Sequence, residues 1–481
     1  MFRWGEQRCW IAWRAGVLLA TGAVFVSAVP DCALADDINY ALIQSYQNNP
    51  QLNAQRAAAR AIDEGVATAL AGYRPRVTGT ASINEVYLDT LTRVPAAPPR
   101  TLTNSYPRTF GENTFSSYGV TATQTLFNGF QTGNRTRQAE AQVLAARETL
   151  RTTEQTVLLN AVTAYMNLLR DTALRELQMS NVNVLEATLR QTRDRFNVGE
   201  VTRTDVAQSE SRLAAGRSQL LAAESAYVTS KAVYRQVIGV EPGKLAAGTP
   251  VDRFSPRTLP AAVTRGLTEN PAVTTATYNI DSAVLQVKVA EGALYPTLTA
   301  SASATKSYGS ATQFNNLQSL NLTAGGTLSV PLYQGGAEYS AIRSAKETLA
   351  QRRLDLDTAR DSTRQSVVQA WGQLEAAKAQ IEATQAQVNA AEIALNGVRE
   401  EARVGQRTTL DVLNAQQDLV NARSALVTAQ RDRVVASFAV LFATGGLSPQ
   451  VLGLKIQTYD PVTHYHQIRD AWYGVRTPDG R

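Results

Sequence analysis

The chain has 481 residues, 44% hydrophobic and 18% charged, with a formal net charge of +6, a pI near 9.3 and a mean hydropathy of −0.20. Length alone suggests about three domains of roughly 150 residues, yet aromatics make up only 7%, lean for several compact cores. No apolar run approaches the roughly 20 residues that a transmembrane helix needs, which excludes a helical membrane protein, and strong hydrophobic periodicity excludes disorder. Charges alternate in sign and form no basic block, so nucleic acid is not an expected partner.

Residues 1–35 read as a secretory signal peptide. Arg3, Arg8 and Arg14 form a basic start, Ala15 to Ala28 is an apolar stretch too short to span a bilayer, and Ala33-Leu34-Ala35 offers a cleavage site before Asp36. Both cysteines, Cys9 and Cys32, fall inside this segment, so the exported chain is expected to have no disulfide. Asp31 before Cys32 argues against lipidation there.

The next element is a helix over about Asp37 to Tyr73, ending before Pro75. The period then changes to two. Val77, Ala81 and Ile83 alternate with Thr78, Thr80 and Ser82, and a second strand sets Tyr118, Val120, Ala122 and Leu126 against Ser117, Thr121, Thr123 and Thr125. A proline-free helix follows over 131–197, then a tight turn at Val198-Gly199-Glu200 and a return helix over about Thr202 to Ile238. Residues 241–258 read as a linker forming a small belt halfway along the long helix.

The same order then recurs over 259–445: a helix to Tyr295, strands around Thr297–Thr305 and Leu320–Val330, a long helix over 337–403, a turn at Val404-Gly405-Gln406 and a helix from Thr408. Asn49-Pro50 recurs as Asn270-Pro271, displaced by 271 − 50 = 221, whereas Val198-Gly199 recurs as Val404-Gly405, displaced by 405 − 199 = 206. The first half, 36–240, therefore carries about 15 extra residues between its strands, and the chain reads as a tandem duplication. Leu374, Ile381, Val388, Leu395 and Ala402 stand seven apart, the spacing of supercoiled helices. Residues 446–481 form a tail, expected on the belt.

Strands of roughly 10 residues, apolar on one face and Ser/Thr/Asn on the other, suit a membrane β-barrel. Four strands in two separated hairpins cannot close one, because closure takes about eight, so several chains are expected to contribute. A soluble periplasmic coiled-coil scaffold or adaptor is the alternative. No catalytic, cofactor or metal constellation stands out: the exported chain has no cysteine, His464 and His466 are its histidines, and metal binding by them is less expected than an exposed tail. An enzyme is not expected.

The signal peptide, the duplicated order, Leu126-Phe127-Asn128-Gly129 between strand and long helix, Phe196-Asn197-Val198-Gly199 followed by Thr204-Asp205-Val206, and the run Val404 to Ala415 together resemble the TolC family of outer-membrane channel proteins. The resemblance implies a mainly α protein with membrane β structure: a trimeric, roughly 12-stranded β-barrel continuous with a long α-helical coiled-coil barrel. It implies a homotrimer in outer-membrane lipid with a long periplasmic extension, no cofactor, and a passive gated duct for multidrug efflux or type I secretion. Its partners would be a periplasmic adaptor, engaging Val198, Gly199, Glu200, Val404, Gly405 and Gln406, and an inner-membrane pump of the RND or ABC type. By position, Thr204 and Asp205 would face Arg407 in a gate, within or between chains. Asp411 would form an acidic ring in the lumen, weakened by Asn414 where the family has a second acid, and Ala402 stands where the family commonly has Tyr.

Overall fold

The structure, a computed structural model, describes residues 37–95, 104–311, 314–478 and 480. The signal peptide of 1–35 and both cysteines lie outside the described residues. Helices α1 (Ile38–Asn48) and α2 (Pro50–Leu70) lead to strands β1 (Arg76–Leu91) and β2 (Arg108–Asn128), then to the long helix α3 (Gln131–Asn197) and the return helix α4 (Arg203–Ile238). Helices α5 (Leu259–Glu269) and α6 (Pro271–Gly292), strands β3 (Thr297–Ala311) and β4 (Phe314–Ser329), and helices α7 (Ala337–Arg403) and α8 (Thr409–Ala443) repeat that order, and α9 (Pro461–Ile468) lies in the tail.

The long helices keep the expected bounds, each 67 residues, about 100 Å at 1.5 Å per residue. The opening helices do not run unbroken. Each divides at an asparagine before a proline, because the proline ring pushes the preceding residue out of the α region: Asn49 has φ −65 and ψ 121, Asn270 φ −69 and ψ 124. The asparagine then caps the helix on its C-terminal side. The Asn49 side-chain oxygen accepts from the Gln51 and Leu52 amides at 2.9 and 3.2 Å, and its Nδ2 donates to Val237 O at 2.9 Å. Asn270 accepts from the Ala272 amide at 2.9 Å and donates to Ala443 O at 2.9 Å. One side chain thus starts a helix and fastens its joint to the end of a return helix.

The hairpins are not separate. Strand β2 pairs with β3, so the halves share one antiparallel sheet of order β1-β2-β3-β4. Register puts Val77 opposite Ala122, Ala122 opposite Ala302, and Ala302 opposite Ala324. Neighbouring Thr78, Thr121, Ser303 and Thr323 align likewise on the other face. Because side chains alternate with period two, this pairing segregates an apolar from a Ser/Thr face across all four strands. The strands have 16, 21, 15 and 16 residues, longer than expected. Above Ile83 the alternation lapses: Glu85 and Asp89 take positions of the apolar face, and Asp89 pairs with Arg108 (Nε–Oδ1 2.7 Å), so pairing continues past the apolar band.

Gly129 (φ +63) and Phe130 (φ +61) turn β2 into α3 through the left-handed region. A Cβ on Gly129 would run into the Gly292 carbonyl, so this crossing of α6 and α3 depends on a bare backbone.

The largest apolar cluster sits near the middle of α3. Leu158, Val162 and Tyr165 meet Ile38 and Leu42 of α1, Tyr234 and Ile238 of α4, Phe438 and Leu441 of α8, and Leu447, with Leu245, Val251 and Phe254 of the linker packed around them. Arg433 of α8 pairs with Asp252 (Nη1–Oδ1 2.9 Å), holding the Asp252 carboxyl below its ordinary range. Away from this belt the seams are thin, as where Val388 and Leu395 meet Leu419 and Ala422.

Only the start of the tail joins the belt. Beyond it the chain runs along α1, α2 and α3: the Tyr459 amide donates to Tyr46 Oη of α1 at 3.1 Å, His464 Nδ1 lies 3.0 Å from Asp63 Oδ2 of α2, and Arg469 Nη2 lies 3.4 Å from Glu140 Oε1 of α3. His464 is 7% exposed, so the expectation of a plain surface tail gives way: a buried imidazole needs a polar partner, and Asp63 supplies it.

Candidate functional site at the hairpin tips

The ends of the helical hairpins farthest from the sheet gather the residues singled out for gating and adaptor contact. Each long helix stops because a glycine takes the left-handed conformation just past it, Gly199 at φ +80 and Gly405 at φ +78. The Glu200 amide donates back to Arg195 O and the Gln406 amide to Glu401 O, each at 2.9 Å, consuming helix-end carbonyls. Val198 and Val404 stand 78% and 71% exposed at the tips.

A capping box starts each return helix. The Asp205 amide donates to Thr202 Oγ1 at 3.3 Å, while the Thr202 amide and hydroxyl donate to Asp205 Oδ2 at 2.9 and 2.7 Å. Thr408 and Asp411 repeat it at 3.3, 3.0 and 2.9 Å. Reciprocal caps satisfy amides that the first helical turn leaves without partners. The Thr202 hydroxyl, then its amide, hold the Asp205 carboxyl below its ordinary range; for Asp411 the Thr408 amide acts first, then its hydroxyl. Both acids stay ionised through the neutral range.

The structure does not bring Asp205 to Arg407 within one chain. Arg407 Nε donates to Glu401 Oε2 at 2.8 Å, across its own turn. Arg195 does the same with Glu200 at 2.6 Å, keeping the Glu200 carboxyl below its ordinary range. Thr204 is exposed and Ala402 half-buried.

Sequence reasoning missed a contact that joins the hairpins near their tips. Arg212 Nη2 of α4 donates to Asn414 Oδ1 of α8 at 2.6 Å. Beneath it Leu413 is buried among Val182, Leu185, Leu189 and Leu213 of the other hairpin. The 206-residue displacement aligns Asn414 with Gln208, so Arg212 reaches from one helical turn away, and no sequence period marks the pair. On the flank, Asn181 is 3% exposed with neither side-chain amide atom bonded, lining a groove with Glu392, Arg399, Gln416 and Arg423. These groups make an electrostatic and mechanical site, with charged turns at the end of long, narrowly packed levers.

The model of the outer membrane efflux protein family matches residues 42–240 and 263–446. Over 473 residues the chain is 39% identical to the outer membrane efflux protein BepC of Brucella suis, covering 97% of both chains. It is 27% identical over 396 residues to the outer membrane protein TolC of Escherichia coli, covering 79% of this chain and 80% of that one. The crystal structure of the Campylobacter jejuni CmeC outer membrane channel has the same fold, with a TM-score of 0.71 at 15% identity over 90% of this chain and 89% of that one. A face of Val, Ala and Leu across four strands, helices about 100 Å long beneath it and this family match agree: the chain belongs to the outer membrane efflux protein family, the TolC family of outer-membrane exit ducts with a periplasmic helical tunnel.

Proposed function

We propose that three copies, each built by tandem duplication, close into one tube that serves as a passive gated duct for efflux or type I secretion. The observation that carries this reading is the sheet. Strands β1 and β4 each have one partner among the described strands, and the faces between them differ in chemistry. Joining β4 of one copy to β1 of the next yields a barrel of roughly 12 strands with lipid outside and Ser/Thr inside. The long helices continue it as a coiled-coil tunnel.

The tips form the gate. The caps use Asp205 Oδ2 and the turn uses Arg407 Nε, which leaves Asp205 Oδ1, the Arg407 Nη groups and Thr204 to meet a neighbouring copy. Asp411 would stand as an acidic ring around the axis, with Asn414 beside it, favouring cations. Val198 to Glu200 and Val404 to Gln406 are the surface offered to a periplasmic adaptor, which couples the duct to an inner-membrane pump of the RND or ABC type. Purified protein in planar bilayers should conduct, and chemical crosslinking should trap trimers. A monomer without conductance would sink the proposal. Asp205→Ala with Arg407→Ala should raise conductance, and no change would mean that these residues are not the latch.

A further inference from the structure

The tail climbs the opening segment of the chain, from α1 past α2 to the start of β1. Its residues 459, 464 and 471 meet Tyr46, Asp63 and Arg74 in turn. The last contact lies at the foot of the sheet. Arg74 precedes Pro75, and β1 starts at Arg76. Arg74 Nη1 donates to Ala471 O at 2.5 Å, and its guanidinium lies 4.7 Å from the centre of the Trp472 ring. Trp472 is therefore held beside a residue two positions before the first strand. Beyond it the chain offers Tyr473 and Val475, 97% and 99% exposed, while Trp472 itself is 67% exposed.

Past the His464 pair, two further contacts, Arg469 to Glu140 and Arg74 to Ala471, carry a Trp-Tyr-Gly-Val segment to the level where the apolar face begins. Large apolar side chains held fully exposed are unfavourable in water, but Trp and Tyr suit the headgroup layer of a bilayer, with the ring in the acyl boundary and the polar atom outward. Arg74 under the ring places a cation at the depth of the lipid phosphates.

We propose that the C-terminal tail is a strap that delivers Trp472 and Tyr473 to the periplasmic leaflet of the outer membrane, where they insert among glycerophospholipid headgroups. This rests on the reading of the sheet as a membrane wall, and extends it: the lipid contact includes a segment distant in sequence from every strand.

Outside the signal peptide the tryptophans are Trp371 and Trp472, so Trp371→Phe leaves one reporter in the strap. The exported chain, without residues 1–35, would be reconstituted into phosphatidylethanolamine and phosphatidylglycerol vesicles doped with phosphatidylcholine brominated either near the headgroup or near the chain end. Trp472 fluorescence should fall roughly two-fold, more with the shallow bromines than with the deep ones. Leu322→Trp, in a chain with Trp371→Phe and Trp472→Phe, reports the apolar face of β4. Quenching of Leu322→Trp without quenching of Trp472 overturns the strap while the membrane wall stands, and silence from both overturns the wall and the strap together. As a second measure, Arg74→Ala should lower Trp472 quenching and leave that of Leu322→Trp unchanged; equal quenching with and without Arg74 would remove its positioning role.

Discussion

Arg212 on α4 and Asn414 on α8, 202 residues apart, share a 2.6 Å hydrogen bond that ties the two helical hairpins together near their tips. Both residues are partly or fully exposed, so the bond adds little to folding, on the order of 1 kcal/mol. Its leverage lies in position, at the far end of helices about 100 Å long. Arg212→Ala is expected to raise single-channel conductance in planar bilayers several-fold while thermal unfolding changes little. Asn414→Asp keeps the acceptor and adds charge, so it should favour the closed form. Equal conductance in all three proteins would show that this bond has no part in closure.

The asparagines at the helix joints serve two ends of the chain at once, and substitution can separate the roles. Asn49→Ala removes the cap of α2 and the bond to Val237 O, at a cost of about 1–2 kcal/mol in thermal or denaturant unfolding. Asn49→Asp retains the cap acceptor but loses the donor, and should recover about half of that loss. Asn270→Ala and Asn270→Asp should follow the same order through Ala443.

The caps at the tips set a direction for pH. Asp205 and Asp411 are both held below the ordinary carboxylate range by Thr202 and Thr408. The stability they add is therefore complete above the unfolded value near pH 4, about 3.9 for Asp, and is lost as pH falls through their lowered values. Amide exchange at Asp205 and Asp411 should show equal protection between about pH 5 and 8 and a loss only in acid below about 4. Loss of protection around neutrality would contradict the capping arrangement.

Two glycines with positive φ should respond very differently to alanine. Gly199 (φ +80) has open space where a Cβ would go, so Gly199→Ala carries only the left-handed backbone cost, about 1–2 kcal/mol. Gly129 (φ +63) has the Gly292 carbonyl in that space. Gly129→Ala must move α6 away from α3, and the yield of heat-modifiable, membrane-inserted protein should fall sharply. Similar yields for both variants would remove the close crossing as an explanation for this glycine.

Periodicity carried the long helices and the strand faces, because each reports a single local variable, the angle per residue. Helix ends at Asn197 and Arg403 were legible from Gly199 and Gly405, and the return helices from Thr202 and Thr408. The breaks at Asn49 and Asn270 were visible as a repeated Asn-Pro, but the helical pattern crosses them and hid the joint. The pairing of β2 with β3, the bond between Arg212 and Asn414, and the burial of His464 against Asp63 depend on segments far apart in sequence. No local pattern encodes such contacts.

An even number of strands gives β1 and β4 opposite directions, so in the proposed tube the open edge of one copy would be antiparallel to the open edge of the next when both point the same way. Each edge is a row of backbone donors and acceptors that a bilayer leaves unsatisfied. If copies join in this way, finishing the fold and finding a neighbour are one reaction, whose rate rises with the number of copies at hand. A shortage of chain would show first as sheets that fail to stay in the membrane, before any loss of the helical tunnel.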